Sequence, residues 1–561
     1  MPVLALLSAG IALLWLGYAF YGSFLRRVLG LDDSRPTPAH ALSDGRDFIP
    51  TNKFYLLGQH LSAIAAAGPI VGPILAGLWF GWLPTLLWLV LGGIFIGGVH
   101  DMASVAASIR HKGKSIAEII RCHMSSRAYF LFLLFLWFSI VYIIIAFTDI
   151  TASTFTDAQR GPGVASSSFL YLGLALGMGL ALKAIRLPLA VSTLLFLPLV
   201  LLCIWLGPRM PLAIPGLFGA DSRTTWDVIL LVYCFIAAVI PMWLLLQPRG
   251  YLGGFFLAIS AGASLIGIIA GSFTQSFSVV FPAFTQWTNP QGLPLVPLLF
   301  TTVACGACSG FHSIVASGTT SKQINKESDA LVVGYGGMLL ESVVALIALA
   351  TLIILTKAQA QKLGDPNQIY AQGIATFLNA IGVNQEFAFN FALLAFATFV
   401  YDTLDVATRL GRYIFQELTG MKGFSGVVIA TLATLILPFL CVTTKSLDAS
   451  GNTIPAWKVF WTVFGSSNQL LAAMTLLGLS VWLYRKKGKY AVTLLPALFM
   501  TCVAILSLVL ILKPWFTRAL TGTGVSTEPM ILTSIVLLVL AGLLIAESTA
   551  IFIKRKRRNA A

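Results

Sequence analysis

The sequence predicts an all-α polytopic membrane protein with about fifteen transmembrane helices. Three observations predict it. Of 561 residues, 57% are hydrophobic and only 10% charged, against about 25% charged in an ordinary soluble domain. Apolar runs of membrane-spanning length recur to the end of the chain, and the mean hydropathy is +0.88. The 36 Lys and Arg residues also divide unevenly between alternate loops, 27 to one side and nine to the other. The positive-inside rule expects that bias of a correct topology.

The spans read at 3–25, 54–80, 82–108, 128–150, 166–183, 187–206, 226–246, 252–274, 294–318, 331–355, 386–411, 425–443, 458–484, 490–512 and 530–553. The first lacks a basic start, exceeds a signal-peptide core and runs into Arg26-Arg27. It reads as an uncleaved helix with its N-terminus outside. The basic run Lys554-Arg555-Lys556-Arg557-Arg558 then marks the C-terminus as inside. The net charge of +15 is spread over short loops, so it reports topology and not nucleic acid. The longest outer loop, 356–385, carries the surface-helix pattern IYAQGIATFLNAIG. The seven cysteines lie mostly in apolar runs, where thiols act as small hydrophobes. No Walker GxxxxGK[ST], HExxH, GxSxG or Rossmann fingerprint stands out. The pattern is that of a transporter rather than an enzyme, with no cofactor.

The second span poses the first question about function. LSAIAAAGPIVGPILAG carries two Gly-Pro pairs, Gly68-Pro69 and Gly72-Pro73, where lipid cannot satisfy freed backbone groups. Helices broken at mid-depth bind solutes in secondary transporters. The break therefore makes Gly68, Pro69, Ile70, Val71 and Gly72 candidates for substrate binding, with Ile70 and Val71 amides meeting a carboxylate. Gln59 and His60 face the same cavity from below. Carbonyls near Ala65 and Ala66 are candidates for a cation. The competing reading is a proline kink with packing glycines. An inverted repeat places a second interrupted helix five spans on, in 226–246, with Pro241 and Pro248. The chain then divides into a first helix and inner loop (1–53), a five-helix repeat (54–225), an inverted five-helix repeat (226–424) and additional C-terminal helices (425–561).

Buried ionisable residues are costly in a bilayer and mark functional candidates. Glu341, in LVVGYGGMLLESVVALIAL, and His100-Asp101, in GGIFIGGVHDMASVAAS, are candidates for proton coupling. Asp402 and Asp405 share a helix face with Arg409 in FVYDTLDVATRLGRY and read as a gating or ion network. The ninth span, FTTVACGACSGFHSIVASGTTSKQ, offers the hydroxyls Ser313, Ser317, Thr319 and Thr320 as a possible cation site. Cys305, Cys308 and His312 follow i, i+3, i+7 spacing. A metal there needs a fourth ligand and a polar second shell, neither evident, so no metal is assigned. Ser466, Ser467, Asn468 and Gln469 read as bonds to neighbouring helices.

GRDFIPTNKFYLLGQHLSAIAAAGPIVGPILAG, ACSGFHSIVASGTTSKQ, GYGGMLLES and FVYDTLDVATRLGRY together resemble the carbon starvation protein A (CstA) family. The resemblance runs from about residue 40 to 475. It implies a multi-pass transporter of the bacterial inner membrane, with the LeuT-type 5+5 inverted repeat. It also implies import of peptides during carbon starvation, or of pyruvate with protons. Both substrates carry a carboxylate, which suits a half-helix N-terminus. The partners expected are that small molecule, protons and the bilayer. Sodium coupling through the hydroxyls of the ninth span is one alternative, and an intramembrane metal enzyme using His312 is another.

Overall fold

The computed structural model describes residues 1–44, 48–65, 67–217, 219–274, 277–444, 446–447, 453–521 and 529–560. In chain order the helices of eight or more residues are α1 (Val3–Leu29), α2 (Lys53–Ile64), α3 (Gly68–Phe80), α4 (Trp82–Arg110), α5 (Ile116–His123), α6 (Ser126–Phe155), α7 (Gly161–Lys183), α8 (Leu189–Arg209), α9 (Ser222–Val239) and α10 (Leu246–Thr274). They continue as α11 (Leu295–Thr302), α12 (Phe311–Gly318), α13 (Leu331–Ile353), α14 (Pro366–Asn379), α15 (Gln385–Thr419), α16 (Gly423–Thr443), α17 (Ala456–Arg485), α18 (Ala491–Thr521) and α19 (Pro529–Ala560). Among the described residues, 12 helices are long and apolar enough to cross a membrane, and one bent pair makes 13. The other two of the fifteen expected spans are present in another form. Residues 294–318 are broken in two, and α17 is a 30-residue helix whose Ser466-Ser467-Asn468-Gln469 insert lowers its apolarity.

The second span is interrupted, but just before the first Gly-Pro pair. α2 ends at Ile64, and α3 begins at Gly68 with its axis turned by 52°. Pro69 sits in the first turn of α3, where a missing N–H leaves no bond unmade. Pro73 lies inside α3 without ending it. The ninth span breaks between α11 and α12, and Gly306 in that break has φ +84°. Only glycine adopts that conformation without strain.

Two expectations are corrected here. α9 runs unbroken to Val239, so 226–246 is not an interrupted helix. Pro241 falls in the link to α10 and Pro248 in the first turn of α10, the positions where proline costs least. The helix in the 356–385 loop exists as α14 but is not on the surface. Ile369, Ile374 and Phe377 are fully buried, and the Tyr370 hydroxyl pairs with Ser260 of α10 at 3.0 Å.

The chain forms two compact units. The first holds Met1–Leu7, Ile140–Pro282 and Ile347–Trp461, and so contains α7 to α10 and α14 to α16. Its core includes Trp226 edge-on to Phe155 and Tyr171 edge-on to Phe256. The second holds Ser8–Ser139, Ala283–Leu346 and Thr462–Ala561, with both interrupted spans, all of α4 and most of α17. Here α4 and α13 each carry a π-helical turn, at Gly93–Gly97 and Leu331–Tyr335. A π turn disturbs the regular bond ladder, and the Tyr335 hydroxyl donates to the Ile94 carbonyl at 3.0 Å.

Candidate functional site

The two interrupted spans cross inside the second unit. A Cβ on Gly68 would collide with the Cys305 side chain, and one on Gly72 would lie 2.6 Å from the Thr302 carbonyl. The two glycines thus let α3 close onto the end of α11 and the break that follows. The Ile70 and Val71 amides, expected to be open to a carboxylate, both donate to the Ala67 carbonyl at 3.1 and 2.9 Å. They close the first turn of α3 instead.

Side chains from other helices satisfy backbone groups freed between residues 300 and 311. Gln469 Nε2 donates to the Phe300 carbonyl at 2.9 Å, and the neighbouring Asn468 Oδ1 accepts from the Phe311 amide at 3.1 Å. Adjacent residues of α17 therefore serve the C-terminus of one half-helix and the N-terminus of the other. Trp88 Nε1 donates to the Val303 carbonyl at 3.1 Å, and Ser342 Oγ to the Gly306 carbonyl at 2.7 Å. A buried break survives only with such partners.

Beside this crossing stands a row of ionisable side chains with no exposure to solvent. His100 Nδ1 lies 2.7 Å from Asp101 Oδ1, and His312 Nδ1 lies 2.8 Å from Asp101 Oδ2. The other nitrogen of His312, Nε2, lies 3.2 Å from Glu341 Oε2. An ionised carboxylate only accepts, so Asp101 fixes the proton on Nδ1 of both rings. Nε2 of His312 then faces Glu341 with either a proton or a lone pair. Two lone pairs repel, so this contact is stable when one proton sits on one partner or the other. The distance is that of an ion pair, yet neither Nε2 nor either Glu341 oxygen has a hydrogen-bond partner among the described residues. His60 is buried too. Its Nδ1 pairs with Thr320 Oγ1 at 2.8 Å, and its ring packs where a Gly337 Cβ would come within 2.9 Å. Gly337 lies one helical turn before Glu341.

The expected site residues thus separate. Glu341, His100 and Asp101 are brought together, and His312 joins them from the span whose Cys305, Cys308 and His312 spacing is not assigned to a metal. His312 is engaged by two carboxylates, while Cys305 Sγ lies 3.6 Å from Ser309 Oγ. Among the described residues no group of His, Cys, Asp and Glu is arranged to hold a metal. Gln59 is exposed and Ala65 buried, and Ala66 lies outside the described residues. The hydroxyls of the ninth span are already engaged. Ser313 donates to the Gly310 carbonyl at 2.7 Å, Ser317 to the Ser313 carbonyl at 2.6 Å and Thr319 to the Val315 carbonyl at 3.1 Å. Thr320 serves His60.

In the first unit, Asp402 and Asp405 pair with Arg249, at 2.8 and 2.5 Å. Helix spacing pointed to Arg409 as their partner. Arg409 instead donates to the Ala237 and Ile240 carbonyls at 2.6 and 2.7 Å, capping the carbonyls left open at the end of α9.

The family model described as Carbon starvation protein CstA matches residues 2–372 and 362–507. A Bacillus subtilis (strain 168) protein named Peptide transporter CstA is 33% identical over 85% of this chain and 84% of its own. An Escherichia coli (strain K12) Peptide transporter CstA is 30% identical over 87% of this chain and 78% of its own. From the same organism, the Pyruvate/proton symporter BtsT is 29% identical over 88% of this chain and 79% of its own. Each of these relatives is named as a transporter or symporter. A crystal structure of an Eremococcus coleocola manganese transporter overlays with a TM-score of 0.45 at 14% identity, covering 92% of this chain and 99% of that one. So loose a match assigns nothing.

Proposed function

The chain belongs to the carbon starvation protein CstA family, and we propose that it is a secondary active transporter importing small carboxylate-bearing nutrients with protons. Peptides and pyruvate are the substrate classes, drawn from what the relatives are named for. One observation carries the reading: His312, on an interrupted span, stands between Asp101 and Glu341 with all three side chains at 0% exposure. A carboxyl and an imidazole that share one proton, beside a broken helix, form a centre whose protonation responds to movement of that helix.

In this proposal the proton occupies the His312–Glu341 contact, and Asp101 with His100 holds the imidazole in place. The substrate carboxylate meets the residues about Gly68 to Gly72 and His60. Those residues are closed onto the 302–305 segment in the form described, so substrate entry requires α3 and α11 to part. Such gating is the usual step in alternating access. The LeuT-type 5+5 inverted repeat is kept as part of the proposal, with 54–225 and 226–424 as its halves; the interrupted span 294–318 lies within the second half and is not the repeat counterpart of 54–80. The ninth span is an odd number of crossings after the second, so the two run in opposite directions. We place the protein in the bacterial inner membrane, N-terminus outside and C-terminus inside, acting during carbon starvation.

The test is uptake by the purified chain in proteoliposomes, using a panel of dipeptides and short keto acids with proton and sodium gradients varied separately. Accumulation driven by an inward proton gradient and abolished by a protonophore supports the proposal. Accumulation that follows sodium at fixed pH overturns it in favour of sodium coupling.

A further inference from the structure

We propose that Asp405, in the first unit, is a second proton-binding site, additional to the His312–Glu341 pair; this rests on the proton-symport reading above. The site is built by four helices, α7, α9, α10 and α15. Arg249 of α10, 1% exposed, reaches Asp402 through Nη2 and Nε at 2.8 and 2.9 Å, and Asp405 Oδ2 through Nη1 at 2.5 Å. Tyr233 of α9 donates to the same Oδ2 at 2.8 Å. Arg249 also bonds the Tyr233 hydroxyl, and the Tyr171 hydroxyl of α7 donates to the Arg249 carbonyl. Gly253 of α10 makes room for Asp402, since a Cβ there would collide with Asp402 Oδ2.

The asymmetry of Asp405 carries the inference. Its side chain has no exposure to solvent, Oδ2 takes two donors, and Oδ1 has no hydrogen-bond partner among the described residues. A buried carboxylate left unpaired on one oxygen is costly. One guanidinium is shared by two carboxylates. The other titratable or charged groups facing Asp405 are Cys234 of α9 and Arg409 of α15. The thiol is neutral and Arg409 is turned to the Ala237 and Ile240 carbonyls. A proton on Oδ1 removes the surplus charge and leaves the bonds to Oδ2 in place. Asp402 is 13% exposed. When Asp405 takes the proton, Asp402 is the one carboxylate left to balance the Arg249 charge, and the Arg249 bond to Asp405 Oδ2 remains. A metal ion does not fit, for no suitable ligand group exists among the described residues.

The test compares the full-length wild type with Asp405→Asn, which keeps the shape and cannot titrate, in lipid. In pH-difference infrared spectra, Asp405→Asn should lose one protonated-carboxyl band, and Glu341→Gln should lose a different one. In uptake of pyruvate or alanylalanine driven by membrane potential alone, the variant should accumulate about 50-fold less at about 100 mV, the worth of one charge. A spectrum that keeps every band in Asp405→Asn overturns the proposal, as does a band displaced by sodium. If Asp405→Asn fails to fold, Tyr233→Phe should shift the same band, and an unmoved band overturns the proposal. The two readings fail separately. Wild-type uptake indifferent to both gradients sinks the symport reading, while the infrared bands still decide Asp405.

Discussion

His312 Nδ1 donates to Asp101 Oδ2 across 2.8 Å, tying the second half of the interrupted ninth span to the long helix α4. The bond fixes which nitrogen of His312 is left to face Glu341. It also makes the proton content of that contact depend on where α12 sits relative to α4 and α13. A shift of one half-helix against its neighbours is then a change in proton affinity, which is the requirement for coupling.

His312→Gln should abolish gradient-driven uptake and also lower stability. Truncating one member of a buried charged set costs about 3–5 kcal/mol, because Glu341 loses its partner and Asp101 keeps only His100. Thermal unfolding in detergent together with proteoliposome uptake checks this. Unchanged uptake with unchanged stability would show His312 to be a bystander.

Much of this arrangement is legible in the sequence, and the gaps have physical causes. The family is carried by long stretches such as FVYDTLDVATRLGRY, and the interruption near Gly68-Pro69 by the chemistry of proline. Glu341 and Asp101 declare themselves as charges in apolar runs. The partnership of His312 with Asp101 and Glu341 is hidden because i, i+3, i+7 arithmetic assumes a continuous helix, and Cys305 and Cys308 lie in the break that precedes α12. Arg249 was missed because, next to Pro248, it reads as a loop residue; tertiary packing turns it inward to Asp402 and Asp405. No local spacing reveals a partner more than 150 residues away.

Asn468→Ala should destabilise the protein by about 1–3 kcal/mol, since the buried Phe311 amide at the start of α12 loses its acceptor. Differential scanning fluorimetry of purified protein measures it. A neutral substitution would mean that α12 does not depend on α17 for its cap.

Gly306→Ala should be worse tolerated than an ordinary surface change. The residue holds φ +84°, and the added Cβ would lie 2.7 Å from the Ala345 Cβ. Strain and overpacking together cost about 2–5 kcal/mol. Yield and unfolding temperature report the loss, and wild-type values for both would contradict the geometry of the break.

Outside the spans, His111 and His123 pair through their Nε2 atoms at 2.7 Å, while His111 Nδ1 donates to the Ala107 carbonyl. Burial first, then His111, Arg485 and Lys486, hold His123 down to about 4, against about 6.5 when unfolded. The folded state thus binds fewer protons between those values, so this contribution to stability is full above about pH 6.5 and lost as pH falls through about 4. Unfolding temperatures measured across that window should drop with acid, and His123→Gln should flatten the slope. An identical slope in the variant would contradict the assignment.

The most direct measurement of proton coupling is uptake and exchange by Glu341→Gln in the same proteoliposomes. The account predicts that counterflow of substrate survives while accumulation against a concentration gradient collapses, because the shared proton with His312 is gone. Full proton-driven accumulation in Glu341→Gln would contradict it.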